Sequence, residues 1–245
     1  MSTGANTVTT LVLVHGGSVT SRAWDPLLPL LQAPAVAIDL PGRRHHPADL
    51  STLHRVDWER SAAADIEALG LDDIVLVGHS SGGYVIPGIA GRLTPGVVRH
   101  LVFVAGTCPV EGQSPVEAMA EKLQAISIAN REHLAAQAVG RTIGDLRPGE
   151  PPIATDLEIV EVDLRMGVEA PAQLHDPMTW AGVPGVPRTY VRALNDRIIP
   201  AAHALVMAAN AGAREIVDLD AGHDVVADAP EALAALLDRI ARDPD

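Results

Sequence analysis

Short apolar runs alternate with helical patterns through most of this chain, and the alternation predicts a largely parallel sheet wrapped by helices. Thr10–Val14 and Ala35–Ile38 read as the first two strands, with a helix over Ala23–Leu31 between them. A helix over Trp58–Leu69 follows, closed by Gly70 as its cap. Ile74–Val77 and Val97–Val104 are the next strands, separated by a helix over Tyr84–Arg92 whose first turns are weakened by Pro87. Thr189–Leu194 and Glu215–Leu219 are the last two strands. A final helix starts after Asp228, with Pro230 in its first turn, and runs to Arg242. The count is about six strands, in an α/β fold.

One interruption breaks the rhythm. Between Thr107 and Ala181 the pattern is helical (Val116–Ala129, Arg131–Val139, Asp156–Met166), with a Pro/Gly loop at Arg147–Pro152. This stretch, 107–181, reads as a helical lid inserted after the fourth strand; 1–106 and 182–245 form the core. The lid is expected to cross the sheet end where ligands bind in open α/β sheets.

Chemistry enters at Gly78-His79-Ser80-Ser81-Gly82, which comes straight out of the apolar run Asp73-Ile74-Val75-Leu76-Val77 and precedes a helix. A Gly-x-Ser-x-Gly at a strand-to-helix turn exposes its serine on strained backbone, and glycines let neighbouring chain pass close. Ser80 is therefore the candidate nucleophile. A serine hydroxyl needs a base, donors for the oxyanion, and an acid that holds the base in its tautomer. Ten histidines compete for the base. His223 is chosen by position, in a loop after the last strand and before the final helix. Asp196, after the Thr189–Leu194 strand, is the candidate acid, with Glu111 as runner-up. Asp220 and Asp224 rank lower, because side chains adjacent in sequence point apart. The Ser81 N–H opens the helix behind the nucleophile, where unpaired amides and the helix dipole favour negative charge. Gly17, in His15-Gly16-Gly17-Ser18 after the first strand, is expected to supply the second oxyanion donor. Met119, Leu123, Ile126, Met166, Met178 and Trp180 are candidates for lining the substrate pocket from the lid.

The set Leu13-Val14-His15-Gly16-Gly17, Asp39-Leu40-Pro41-Gly42, Gly78-His79-Ser80-Ser81-Gly82, Asn195-Asp196-Arg197 and Gly222-His223 resembles the α/β-hydrolase superfamily. It is most similar to the short esterase and hydroxynitrile-lyase-like branch, over Thr10–Arg242. The resemblance implies a Ser80–Asp196–His223 triad and an oxyanion hole at Gly17 and Ser81. In the lyases of that branch a lysine follows the histidine; here Asp224 does, which disfavours cyanohydrin chemistry. A serine at the elbow, where dehalogenases and epoxide hydrolases have aspartate and dienelactone hydrolases cysteine, sets those chemistries aside as well. The expected activity is hydrolysis of small or medium carboxylic esters or lactones through an acyl-enzyme. The same triad also serves C–C bond hydrolysis, polyketide-type tailoring, or a ligand-binding receptor with a vestigial triad.

Composition narrows the partners of this 245-residue chain. Its net charge of −13 disfavours nucleic acid and anionic membranes, and six aromatic residues leave no stacking platform for bases. No apolar run reaches membrane-spanning length, and Met1–Thr10 lacks a signal-peptide pattern, so a cytoplasmic protein is expected. A single cysteine, Cys108, excludes an internal disulfide framework and reads as buried packing. Arg43-Arg44-His45-His46 reads as a solvated cationic loop. His45, His46 and His54 lack metal-site spacing, and no Gly-x-Gly-x-x-Gly or Walker-type loop is present, so neither metal nor cofactor is expected. The substrate is a small molecule, and no sequence feature speaks to oligomeric state.

Overall fold

The computed structural model describes residues 9–43, 46–50, 52–119, 170, 172–183 and 185–244. Six strands form one sheet in the order β2-β1-β3-β4-β5-β6: β1 (Thr10–Val14), β2 (Ala35–Ile38), β3 (Ile74–His79), β4 (Val98–Val104), β5 (Arg188–Ala193) and β6 (Glu215–Leu219). Every neighbouring pair is parallel. All six strands therefore end at the same edge, and the loops after them converge there.

The central strands are apolar at consecutive positions because both faces are covered. Val12, Val14, Ile74, Leu76, Leu101 and Phe103 belong to the core on one face. Leu11, Leu13, Val75, Val77, Val102 and Val104 belong to the core on the other. The first face is packed by α1 (Arg55–Ala68), α2 (Gly82–Ala90) and α5 (Ala201–Asn210). The second carries Trp24, Leu27 and the long helix α7 (Pro230–Arg242), which buries Leu233, Leu237 and Ile240. Shorter helices are α3 (Pro115–Ala118), α4 (Ala172–His175) and α6 (Val225–Asp228).

The strand pattern agrees with the sequence to within one or two residues at each end. One helical expectation does not, and one helix has no counterpart among the expectations. In place of one helix over Ala23–Leu31 there are two 3₁₀ turns, Ser21–Trp24 and Leu28–Leu30. Pro26 and Pro29 each remove an N–H that an α-helical ladder would need, so the segment closes in single tight turns. The helix α5 between β5 and β6 was not anticipated; its run Ala-Ala-His-Ala-Leu-Val-Met-Ala-Ala-Asn buries only Ala204, Met207 and Ala208. The helices expected over Arg131–Val139 and Asp156–Met166 lie outside the described residues, as does most of Val116–Ala129, of which Pro115–Ala118 is helical.

The two described ends of the 107–181 excursion are tied to the core at different places. On the outgoing end, Asn210 Nδ2 donates to the Cys108 carbonyl at 3.0 Å, and His203 Nε2 donates to the Ala118 carbonyl at 2.8 Å. On the returning end, Asp176 accepts from the Arg55 N–H at 2.8 Å, and Tyr84 Oη donates to the Asp176 carbonyl at 2.7 Å. Among the described residues no helix is long and apolar enough to cross a membrane.

Candidate active site

Three loops at the carboxyl edge of the sheet bring Ser80, Asp196 and His223 together. Ser80 follows β3 with φ of 52°, a left-handed conformation that a non-glycine residue adopts only when its surroundings enforce it. They do so here. The Ser80 N–H donates to the Val104 carbonyl at 3.0 Å, while its carbonyl accepts from Gly83 and Thr107. The turn is too tight for side chains on either flank. A Cβ at Gly78 would lie 2.6 Å from the Gly82 carbonyl carbon, and one at Gly82 would lie 2.6 Å from the Val14 carbonyl oxygen.

Ser80 Oγ lies 2.9 Å from His223 Nε2, and His223 Nδ1 lies 2.7 Å from Asp196 Oδ2. With Asp196 ionised, Nδ1 carries the proton and Nε2 is left as the acceptor for the serine hydroxyl. Asp196 Oδ1 in turn accepts from the Ile198 and Ile199 N–H groups, at 2.7 and 2.9 Å. Burial raises the pKa of the Asp196 carboxyl, but the His223 hydrogen bond and these amide donors outweigh it, so the net displacement is downward. The carboxylate therefore stays charged and oriented across the neutral pH range.

The other acids are engaged elsewhere. Glu111 accepts from the Trp180 N–H at 2.6 Å, Asp220 accepts from Asn195 Nδ2 at 2.7 Å, and Asp224 caps α6 by accepting from the Ala227 N–H.

Two buried histidines, to which no local sequence pattern gives a role, support the site. His79 Nε2 donates to the His223 carbonyl at 2.8 Å, holding the backbone of that loop. Burial, reinforced by the nearby His223, lowers the His79 pKa to about 4. His15 Nε2 accepts from the Leu40 N–H at 3.1 Å, and its Nδ1 donates to the Gly16 carbonyl at 2.8 Å. Burial, with Arg43 adding to it, lowers the His15 pKa to about 3. Because C=O and N–H point opposite ways across a trans peptide, fixing the Gly16 carbonyl fixes the direction of the Gly17 N–H. Among the described residues neither the Gly17 nor the Ser81 N–H is taken up by a backbone acceptor.

The lid candidates divide. Leu123, Ile126 and Met166 lie outside the described residues. Met119 is half-buried at the end of α3. Met178 is 1% exposed and part of the core. Trp180 packs on Phe103 with ring centroids 5.9 Å apart, and its Nε1 donates to the Pro109 carbonyl. The cationic loop is corrected at one position: Arg43 is buried, and its Nε donates to the Val19 carbonyl at 2.7 Å. Among the described residues no group of three His, Cys, Asp or Glu side chains is arranged to hold a metal. Cys108 is buried, as expected, and burial raises its thiol pKa.

A parallel sheet with a strained serine after its third strand, and an aspartate and a histidine after its last two, defines a hydrolase architecture. The chain belongs to the alpha/beta hydrolase family, whose model matches residues 11–236. It is similar to a carbendazim hydrolyzing esterase of Nocardioides sp. (strain SG-4G), 31% identical over 73% of this chain and 75% of that protein. A pyrethroid hydrolase of Sphingobium wenxiniae is 28% identical over 93% of this chain and 86% of its own length. Among solved structures, that of the pyrethroid hydrolase PytH superposes with a TM-score of 0.73 at 24% identity, covering 97% of this chain and 99% of that one.

Proposed function

We propose that this chain is a serine esterase that hydrolyses small or medium carboxylic esters or lactones through an acyl-enzyme, without a cofactor. The observation that carries the reading is the hydrogen-bonded series from Ser80 Oγ through His223 to Asp196, built on a serine held at positive φ. The similarity to an esterase and to a pyrethroid hydrolase supports ester cleavage over the other chemistries open to the same three residues.

In this reading Ser80 Oγ attacks the ester carbonyl while His223 Nε2 takes the hydroxyl proton. The charge on the resulting imidazolium is stabilised by Asp196 at Nδ1. The carbonyl oxygen becomes an oxyanion held by the Gly17 and Ser81 N–H groups, each such donor being worth about 2.7–4 kcal/mol of barrier. Collapse breaks the ester C–O bond, and His223 returns its proton to the departing alcohol. Water, deprotonated by His223, then attacks the acyl-enzyme and releases the acid and free Ser80. Residues 107–181 act as the cap over this edge of the sheet. The anchoring of both described ends of that excursion to the core supports this assignment.

Hydrolysis of a p-nitrophenyl ester series from acetate to decanoate tests the reading. Wild type is expected to turn over with a chain-length optimum, and Ser80→Ala to lose on the order of 10⁶ in kcat. A Ser80→Ala variant that keeps wild-type turnover would falsify the mechanism.

A further inference from the structure

Gln173, on the short helix α4 of the returning segment, reaches the oxyanion side of the site. Its Nε2 donates to Ser81 Oγ at 2.7 Å. A Cβ at Gly17 would lie 2.6 Å from Nε2 and 2.9 Å from Oε1, so the carboxamide packs directly on the Gly17 backbone. One side chain thus touches both residues whose N–H groups would bind the oxyanion. Its place is set by the core. Asp176, three residues on, is held by the Arg55 N–H and Tyr84, and Arg55 Nε donates to the Pro177 carbonyl at 3.0 Å. Among the described residues, Gln173 Oε1 and the second Nε2 proton have no hydrogen-bond partner.

Behind the carboxamide, Gln173 and Ser81 join His15, Arg43 and Trp58 around a cavity with room for a group about the size of one water molecule. Gln173 Oε1 itself is not among the buried unpaired atoms and so is open to a ligand; an alkyl group set against it would leave it unpaired, whereas a hydroxyl or N–H would satisfy it. Sites built to hydrogen-bond a substrate hydroxyl discriminate far more strongly than apolar pockets do.

We propose that Gln173 is a specificity-determining residue that selects acyl groups bearing a hydroxyl or N–H on the atom next to the reacting carbonyl, as in 2-hydroxy acids and carbamates. The proposal rests on the esterase reading above. It is tested with two ester substrates of matched size, 4-nitrophenyl 2-hydroxypropanoate and 4-nitrophenyl 2-methylpropanoate, each corrected for its rate with hydroxide. Wild type is expected to favour the hydroxy ester at least tenfold in kcat/KM, and Gln173→Leu to erase that preference. A ratio in Gln173→Leu within threefold of wild type overturns the proposal.

Gln173→Glu is the second variant. It sets a carboxylate against the developing oxyanion and is expected to lower kcat at least tenfold on both esters without lowering the melting temperature. An unchanged kcat there places Gln173 away from the reacting carbonyl and overturns the proposal even if Gln173→Leu does not fold. A wild type inactive on the whole p-nitrophenyl series, or a Ser80→Ala variant as active as wild type, overturns the esterase reading itself, and this proposal with it; a wild type active on that series but on neither of these two esters overturns this proposal alone.

Discussion

The two sides of the candidate site are built by different means. Ser80, Asp196 and His223 sit on loops one to four residues beyond β3, β5 and β6, so their positions follow from the register of a parallel sheet. Gln173 arrives from the other direction, on a segment carried in by long-range contacts with α1 and α2. Behind that segment stands an ion cluster: Glu59, 1% exposed, pairs with Arg55 and with Arg92 Nη2 at 2.9 Å, and Arg55 lies over the Tyr84 ring. The strand-end side is held mainly by backbone, the returning side mainly by side chains. Substitutions should therefore act differently: those at the strand ends should lose chemistry with the fold intact, and those in the ion cluster behind the returning segment should lose stability.

The largest effect is expected on the strand-end side. His223→Ala should lower kcat by on the order of 10⁶, and Asp196→Asn, which spoils the tautomer while keeping the shape, by roughly 10⁴. Circular dichroism and melting temperature should stay close to wild type; a large loss of stability in either variant would contradict backbone support of these loops.

On the returning side, Glu59→Ala leaves Arg55 and Arg92 without their buried partner and should cost about 3–5 kcal/mol of folding stability, read by denaturant unfolding. A loss below 1 kcal/mol would mean that the cluster does not hold this side together.

The smallest effect is a pH dependence on the strand-end side. His15 and His79 titrate near 3 and 4 when folded, below the ordinary histidine value of about 6.5 in the unfolded chain. As pH falls below that value the unfolded state binds protons first, so stability declines toward pH 4 and the slope fades below the folded values. The melting temperature should drop between pH 7 and pH 4.5, and less steeply in His79→Asn. Equal slopes in the two proteins would show that His79 is not held neutral by the fold.

Several parts of this arrangement are legible in the sequence, for local reasons. The elbow declares itself through glycines that no other residue can replace, and β-branched apolar runs flanked by turn residues mark the strands. Other features depended on packing. The two prolines in Ala23–Leu31 were visible, yet the apolar spacing there matched a helix closely enough to conceal their effect. Arg43 reads as a solvated cation until the Val19 carbonyl and the wall of a cavity enclose it. His79 and His15 were present in the quoted motifs, but their acceptors, the His223 and Gly16 carbonyls, are backbone atoms that no side-chain pattern reveals.

The sequence by itself determined the sheet, its direction, and the three residues that meet at its edge. A parallel α/β repeat sends every strand end to one side, and residues placed just past those ends have nowhere else to converge. Only the tertiary structure decided what borders Gly17 and Ser81. Gln173 lies 92 residues from Ser81 along the chain, and which face of α4 turns inward is set by Asp176, Arg55 and Tyr84 rather than by any local pattern around it.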